Sequence, residues 1–403
     1  MAIETTTSLS GALRTRYLAD YRRAALMVRL YDQFSTPFSA DLDQPLAQGS
    51  SVTMNFLSDL APATSVISEL ADLTPAQVRE ANTTVSPTSR ANAIQVAEKL
   101  LARAYTNYGM ERFEMIGKNM MESVDLVAQG VATKGTVVQS AAARASLDAG
   151  TSGHRLTDTT FSEAQITLET LKVPGFIDAL GTTYMAAMHP YAYHDVRTSG
   201  NVVSIAQYQQ AQIILAHELG MLGRFRFVVS PWAKVFWGAG EDNGSAVATT
   251  LNGAVNALGK SIILTAGTNI AANQWLNIGT EETADTHYPT NERVRTSSGT
   301  AAAATTVTIA GEGANGGLRF DHADDVAVRN ADSVFTVTIG GPGSLAKVFH
   351  SDMGLGEFGT VVGPKKQGLV DQFESLGWKW YGAYGRPIES RILRVEVSSS
   401  FEA

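Results

Sequence analysis

The sequence predicts an α+β protein, and three observations carry that expectation. Residues 105–131 form one long amphipathic helix. Stretches before and after it alternate apolar and polar residues with the period of half-buried strands. Residues 238–343 break into short strand-like runs separated by turn residues, the texture of a small β-barrel or sandwich inserted into a larger fold.

The leading segment, residues 7–38, is basic. Arg14, Arg16, Arg22, Arg23 and Arg29 outnumber Asp20 and Asp32, and Leu18, Tyr21, Ala25 and Val28 recur at helical spacing until Asp32 ends the stripe. It reads either as a surface helix with solvated arginines or as an arm lying on a neighbouring subunit. In "SVTMNFLSDL", Val52, Met54 and Phe56 alternate with polar residues, a strand pattern. "TTVSPTSRANAIQVAEKL" is a second extended stretch, with Pro87 favouring an edge or irregular position. A long connection containing Pro62 and Pro75 joins them. Two such strands make a ribbon, which is marginal alone and must lean on something. A strand of about ten residues reaches ~33 Å, far enough to extend past the body that carries it.

In the long helix, Phe113, Ile116, Met120, Val124, Val127 and Val131 share one face. Glu111, Glu114, Lys118, Asn119 and Glu122 fill the other. At 1.5 Å per residue it spans about 38 Å, and its methionines read as core packing. A capped helix, "TFSEAQITLETLK", is closed by Pro174 and Gly175 and followed by a strand, "TTYMAAMHPYAY". A further helix through "SIAQYQQAQIILAHEL" is expected to end near Gly220 or Gly223. It hands over to "RFRFVV", where Phe225 and Phe227 alternate with Arg224 and Arg226 as in a half-buried strand. The insertion offers "SIILTAG", "QWLNIG", "TTVTIA", "DVAVRN" and "SVFTVTIGG" as strands. The tail adds "GLVDQFESLGWKWYGAYG" and the strand "RILRVEVSSS", with Ile392, Leu393, Val395 and Val397 apolar.

Composition narrows the function. Charged residues make up 17% of the 403-residue chain, against roughly 25% in ordinary soluble proteins. Apolar content is an ordinary 44%, so small and hydroxyl residues fill the difference. A surface with so few charges is weakly hydrated unless other subunits cover it, and covering is the preferred reading. The net charge of −8 argues against tight general binding to nucleic acid. With no cysteine, disulfides, thiolate metal sites and thiol catalysis are excluded. No apolar run reaches the ~18 residues of a membrane span, and the first residues lack a signal-peptide core, so a soluble chain not exported by the usual route is expected.

Several motifs point toward chemistry and fall short. "HELGM" opens like a zinc-protease helix at His217 and Glu218, but the second ligand position holds Met221, and Gly220 and Gly223 weaken the helix. "GEGANGG" matches a dinucleotide fingerprint at Gly311, Gly313 and Gly316, yet "LRFDHADDVAV" follows where a helix must begin; a hairpin loop is expected. "GAVNALGKS" spaces Gly253 from Gly259, Lys260 and Ser261 one residue too far apart for a phosphate-binding loop. Asp321, Asp324 and Asp325 lack the alternating ligands of a calcium loop and read as a solvated turn. His189 and His194 lie near Asp195 with Pro190 between them and no third ligand close by, so structural histidines are expected. Neither catalytic, cofactor-binding nor metal-ligating residues are assigned.

Taken in order, these elements resemble a tailed-bacteriophage major capsid protein of the HK97-like (Hong Kong-type) fold. The stretches "YMAAMHPYAYHDVR", "VVSIAQYQQAQIILAHELGMLGRFRFVVSP" and "GTVVGPKKQGLVDQFESLGWKWYGAYGR" are similar to segments of one large branch of that family. The resemblance implies an N-terminal arm (1–48) and an E-loop (49–104). Residues 105–237 would hold the spine helix, the peripheral domain and the start of the axial domain. A β-rich insertion (238–345) and a return through both domains (346–403) complete the chain. It implies a structural, non-enzymatic protein without cofactors that self-assembles as hexamers and pentamers into an icosahedral shell around double-stranded DNA. Scaffold, portal and decoration proteins are its implied partners. No membrane is involved, and the chain would be made in the host cytoplasm and end in the virion. Candidate contacts between copies are Arg14, Arg22 and Arg23 of the arm and Phe56, Leu60, Pro62 and Ile94 of the loop. An acidic chain suits a container that must not grip its DNA. The alternative is a β-rich decoration or adhesion protein working through the insertion; a hydrolase rests only on the His217–Glu218 fragment.

Overall fold

A computed structural model describes residues 30–36, 51–58, 60, 62, 76–99, 108–178, 181–198, 203–204, 218–241, 248–266, 270, 272–280, 288, 290–297, 305–313, 315–349, 359–367 and 372–402. The chain divides into two compact units. One draws on Ser35–Ala128 and Leu345–Pro387, the other on Leu30–Phe34, Gln129–Ser344 and Ile388–Ala403. Arg14, Arg22 and Arg23 lie outside the described residues.

The long helix, α1, runs Tyr108–Ala132 and belongs to the first unit as far as Ala128. Phe113, Ile116, Met120 and Val124 are buried as expected. Val127 and Val131 are only half-buried, and Met121, Ala128 and Ala132 are the fully buried positions there. A seven-residue repeat drifts about 20° per heptad off one face of a straight helix, so the buried stripe migrates. A five-stranded sheet runs in the order Ser35–Thr36, Leu345–Phe349, Phe373–Gly385, Thr360–Gln367, and Thr88–Ala97 also pairs with Phe373–Gly385. Trp378 and Trp380 of the 13-residue strand are buried.

The second extended stretch of the ribbon is not one strand. It splits at Pro87. Glu80–Val85 pairs antiparallel with Val52–Leu57, whereas Thr88–Ala97 joins the sheet from Thr88↔Gly382 to Ala97↔Phe373. Proline has no N–H to continue a ladder, so the chain changes partner there.

The second unit is built on a nine-stranded mixed sheet. Its order is Val138–Ser140, Ile392–Val397, Val334–Gly340, Gly181–Met188, Phe225–Val229, Glu218–Leu222, Val203–Ser204. Every residue of Val334–Gly340 and Ile392–Val397 is buried. Phe225–Val229 was expected to be half-buried, but Arg226 is 3% exposed and the strand is covered on both faces. It runs parallel to Gly181–Met188, the setting in which strands bury both sides. Helix α2, Asp158–Thr170, starts at the cap Thr157, whose side chain accepts from Thr160 N, and buries Phe161, Ala164 and Leu168. The strand expected over "TTYMAAMHPYAY" stops at Met188, and helix α3, Pro190–Thr198, takes its second half. Proline's fixed φ and missing N–H suit the first helical position. The helix expected to end near Gly220 or Gly223 falls largely on 205–217, outside the described residues. Its expected end is instead the strand Glu218–Leu222, which folds back on Phe225–Val229 through Gly223 at φ +57°.

The insertion is a six-stranded sheet in the order Ala248–Thr250, Ala327–Arg329, Trp275–Ile278, Glu292–Thr296, Thr306–Ala310, Ser261–Ile263. Its two ends meet: Leu251 bridges Leu264, Asn252 N donates to Ile263 O at 2.8 Å, and Thr265 N to Thr250 O at 2.9 Å. The sheet therefore closes into a barrel, filled by residues such as Leu264, Leu276, Ile278, Val294, Val307 and Val328. "SVFTVTIGG" was expected in this insertion and is not there. Its strand lies between Ile392–Val397 and Gly181–Met188 in the nine-stranded sheet, as its burial on both faces requires. Glu292–Thr296, too polar to read as a strand in the sequence, completes the barrel.

Candidate assembly surface

The two-stranded ribbon is rooted on its own unit along one face and carries exposed apolar side chains toward its tip. Its register pairs Val52↔Val85, Met54↔Thr83 and Phe56↔Ala81 on one face, and Thr53↔Thr84, Asn55↔Asn82 and Leu57↔Glu80 on the other. The first face leans on the sheet. Met54 and Val85 are buried against Ala346, Val348 and Ala383, with Val52 and Phe56 packed at the margin. Gly385 makes room for this, because a Cβ there would overlap the Val85 methyl. The second face is polar at its base, where the Thr53 and Thr84 hydroxyls are 3.0 Å apart.

Toward the tip the pattern inverts. Leu57 is 72% exposed and Leu60 57%, and Val78, two residues before Glu80, is 48% exposed. Ser58 N donates to Arg79 O at 2.8 Å and Arg79 N to Ser58 Oγ at 2.9 Å, so the ribbon is held this far out. Of the residues singled out in the sequence, Leu60 and Pro62 are exposed here and Phe56 is half-buried. Ile94 is elsewhere: it sits half-buried in the sheet, opposite Leu376. Leu57 and Val78 are exposed apolar residues at the same tip that the sequence reading does not single out. The signal for Leu57 was present, an apolar residue on the polar phase of an alternating strand.

The sheet beneath is tied to α1 by polar contacts. Arg112, 3% exposed, bridges Glu374 at 2.9 Å. Asn119 Oδ1 accepts from Trp378 Nε1 at 2.9 Å and from Asn92 Nδ2 at 3.0 Å. Arg90 donates to Gly382 O at 3.2 Å and lies over the Trp380 ring, and burial lowers its pKa.

The motifs that suggested chemistry take structural places. His189 is buried among Tyr191, Trp237 and Phe335, and burial with Arg293 nearby lowers its pKa to about 3, so the ring is neutral. Asp195 accepts from the backbone N and side chain of Ser400, whereas the His194 side chain is 55% exposed. Asp321 Oδ1 accepts from Ala257 N and Asp324 Oδ1 from Gly253 N, both at 2.6 Å, so these carboxylates close turns. Gly311 N donates to Gly316 O and Gly313 N to Gly317 O, which turns the chain tightly there. It is not the hairpin loop expected, because Thr306–Ala310 and the next strand, Ala327–Arg329, are not neighbours. Ser261–Ile263, a strand, follows "GAVNALGK" where a phosphate-binding loop would start a helix. His217 lies outside the described residues, and Met221 is in a strand. Among the described residues no group of three or more His, Cys, Asp or Glu is placed to hold a metal, and no helix is long and apolar enough to cross a membrane.

No protein-family model matches the chain, and no curated protein matches it. Solved structures do. The chain is similar to the capsid of Ralstonia phage GP4, with a TM-score of 0.54 at 9% identity over 87% of this chain and 84% of that one. The capsid of cyanophage P-SCSP1u follows with a TM-score of 0.49 at 10% identity over 92% and 88%, and Mycobacterium phage Che8 with 0.47 at 9% over 91% of each. The GP4 likeness shows that the chain has the α+β fold of a tailed-phage capsid protein, the HK97-like architecture that the element order resembles.

Proposed function

We propose that this chain is the major capsid protein of a tailed bacteriophage, a structural rather than catalytic protein. Copies would assemble as hexamers and pentamers into an icosahedral shell around double-stranded DNA. The observation that carries the reading is the ribbon, rooted on its own sheet through Met54 and Val85 yet presenting Leu57, Leu60 and Val78 uncovered at its tip, on a fold similar to a phage capsid protein. In this reading the ribbon is the E-loop, α1 the spine helix, the five-stranded sheet the peripheral domain, the nine-stranded sheet the axial domain and the barrel an insertion. The tip finds its apolar partner on a neighbouring copy. The net charge of −8 suits a wall that contains DNA without holding it. Many modest contacts act together, so the shell is far more stable than one interface. Scaffold and portal proteins are partners of the same reading, with synthesis in the host cytoplasm and residence in the virion.

Negative-stain microscopy of the expressed chain, with and without a scaffold, tests it. Closed shells of uniform diameter are expected; a homogeneous monomer under every condition overturns the proposal.

A second reading has its own support. The barrel has a complete core, as a binding module of a decoration or adhesion protein would. Deleting the barrel separates the two: loss of shells or a changed shell diameter favours the first reading, and loss of ligand binding with oligomers intact favours the second.

A further inference from the structure

The strand Val52–Leu57 has a partner strand on one side only. Antiparallel strands exchange backbone bonds at every second residue pair. Ser58 N donates to Arg79 O at 2.8 Å, which sets the phase. Counting back in the register, Phe56, Met54 and Val52 exchange bonds with Ala81, Thr83 and Val85. The backbone N–H and C=O groups of Thr53, Asn55 and Leu57 therefore point the other way, and no strand lies against them among the described residues. The Thr53 and Thr84 hydroxyls, 3.0 Å apart, fit this phase, because side chains lie closest at pairs without backbone bonds. Natural proteins blunt such an edge with shortness, proline, lysine or a bulge, and other edges of this chain follow that rule. Val138–Ser140 and Val203–Ser204 end the nine-stranded sheet with three and two residues. Thr360–Gln367 carries Pro364, Lys365 and Lys366 and a shift of register after Val362. Along Thr88–Ala97, the Asn92 side chain accepts from Ala93 N at 2.9 Å. Val52–Leu57 has none of these devices. Gly49–Ser58 contains neither a charged residue nor a proline, and the side chains of Thr53, Asn55 and Leu57 are exposed.

We propose that this edge pairs with the same edge of a second copy, antiparallel and about a two-fold axis through Asn55. This deepens the assembly reading above and rests on it. Asn55 then faces the partner's Asn55, and Thr53 faces the partner's Leu57. Two ribbons become one four-stranded sheet, past the three strands that independent stability requires. Charge and phase together name the occupant. The chain carries a net charge of −8, so much of its surface repels a copy of itself, whereas this edge is uncharged. The outward residues Thr53, Asn55 and Leu57 are placed symmetrically about Asn55, so two identical strands meet donor to acceptor without a slip of register. The pairing also covers part of Leu57, which is 72% exposed in the single chain.

The test is amide hydrogen exchange on the full chain at low and high concentration, read beside sedimentation. As the chain associates, exchange at Thr53, Asn55 and Leu57 is expected to slow about tenfold or more, with Met54 and Phe56 protected throughout. Asn55→Pro removes one outward N–H and none of the ribbon's own ladder bonds. Met54 and Phe56 then stay protected, while Thr53 and Leu57 no longer slow. If proline unfolds the ribbon, charge takes its place. Asn55→Lys alone stays unpaired, and an equimolar mixture with Asn55→Asp restores the slowing, because the two positions meet across the axis. Unslowed exchange at Thr53, Asn55 and Leu57 in the associated wild-type chain overturns the proposal, as does a chain that is monomeric at every concentration. So does protection in the wild type that the mixture fails to restore, which places a different segment or partner on the edge. Shells that form with these amides unprotected overturn the pairing alone and leave the capsid reading standing; pairing without shells under any condition does the reverse.

Discussion

Trp378 Nε1 donates to Asn119 Oδ1 at 2.9 Å, joining the long strand of the five-stranded sheet to the exposed side of α1. The same oxygen accepts from Asn92 Nδ2 at 3.0 Å, so one carboxamide holds two strands to the helix. Asn119→Leu should leave both donors without this acceptor, one of them the indole of a residue only 3% exposed. The expected loss is about 2 kcal/mol, read as a lower urea midpoint with unchanged slope. A loss under about 0.5 kcal/mol would show that the pairing contributes little.

Gly385 and Val85 form the contact that roots the ribbon. Gly385→Ala should cost about 1–3 kcal/mol, because the new methyl overlaps Val85. Adding Val85→Ala should recover part of that loss relative to the sum of the single changes. A double-mutant cycle by calorimetry measures the coupling, and strict additivity would refute the contact.

The ribbon tip should matter to assembly and not to folding. Leu57→Asp with Leu60→Asp places charge on side chains already in water, so the stability of the isolated chain should stay within about 0.5 kcal/mol. Shell yield by sedimentation should collapse. Wild-type yield from this variant would remove the tip from the interface.

His189 makes stability pH-dependent. Its folded pKa, about 3, lies below the ordinary value of 6.5, so the unfolded chain binds a proton that the folded chain refuses. Stability from this residue is complete above about pH 6.5 and is lost as pH falls toward 3, with a slope of at most about 1.4 kcal/mol per pH unit. Asp148, held below its usual range by Gly150 N and Thr151, acts in the same direction at lower pH. His189→Gln should flatten melting temperature against pH between about 6.5 and 4; an unaltered slope would place the acid sensitivity elsewhere.

Much of this architecture was legible in the chain. The α1 stripe through Val124, the cap and closure of α2, the alternation of Val52, Met54 and Phe56, and the closing strand Ile392–Val397 are local patterns, and local periodicity states which face is buried. The turn-rich texture of the insertion likewise announced a small barrel or sandwich, and pairing of its two ends decided for the barrel. Sequence alone also dismissed the zinc and phosphate motifs, because their chemistry demands spacings that the chain lacks.

What only the tertiary structure decided concerns partners distant along the chain. Val334–Gly340 reads as one more strand of the insertion until it is seen between Ile392–Val397 and Gly181–Met188. Arg226 reads as solvent-facing until its strand is seen inside the nine-stranded sheet with both faces buried. Arg293 and Glu402 show no pattern at all, being 109 residues apart in the chain and paired only in the folded structure. Periodicity encodes that a face is buried, but not by what. The covering element is chosen by packing and hydrogen-bond satisfaction across the whole fold, and no window of sequence contains both sides of that choice.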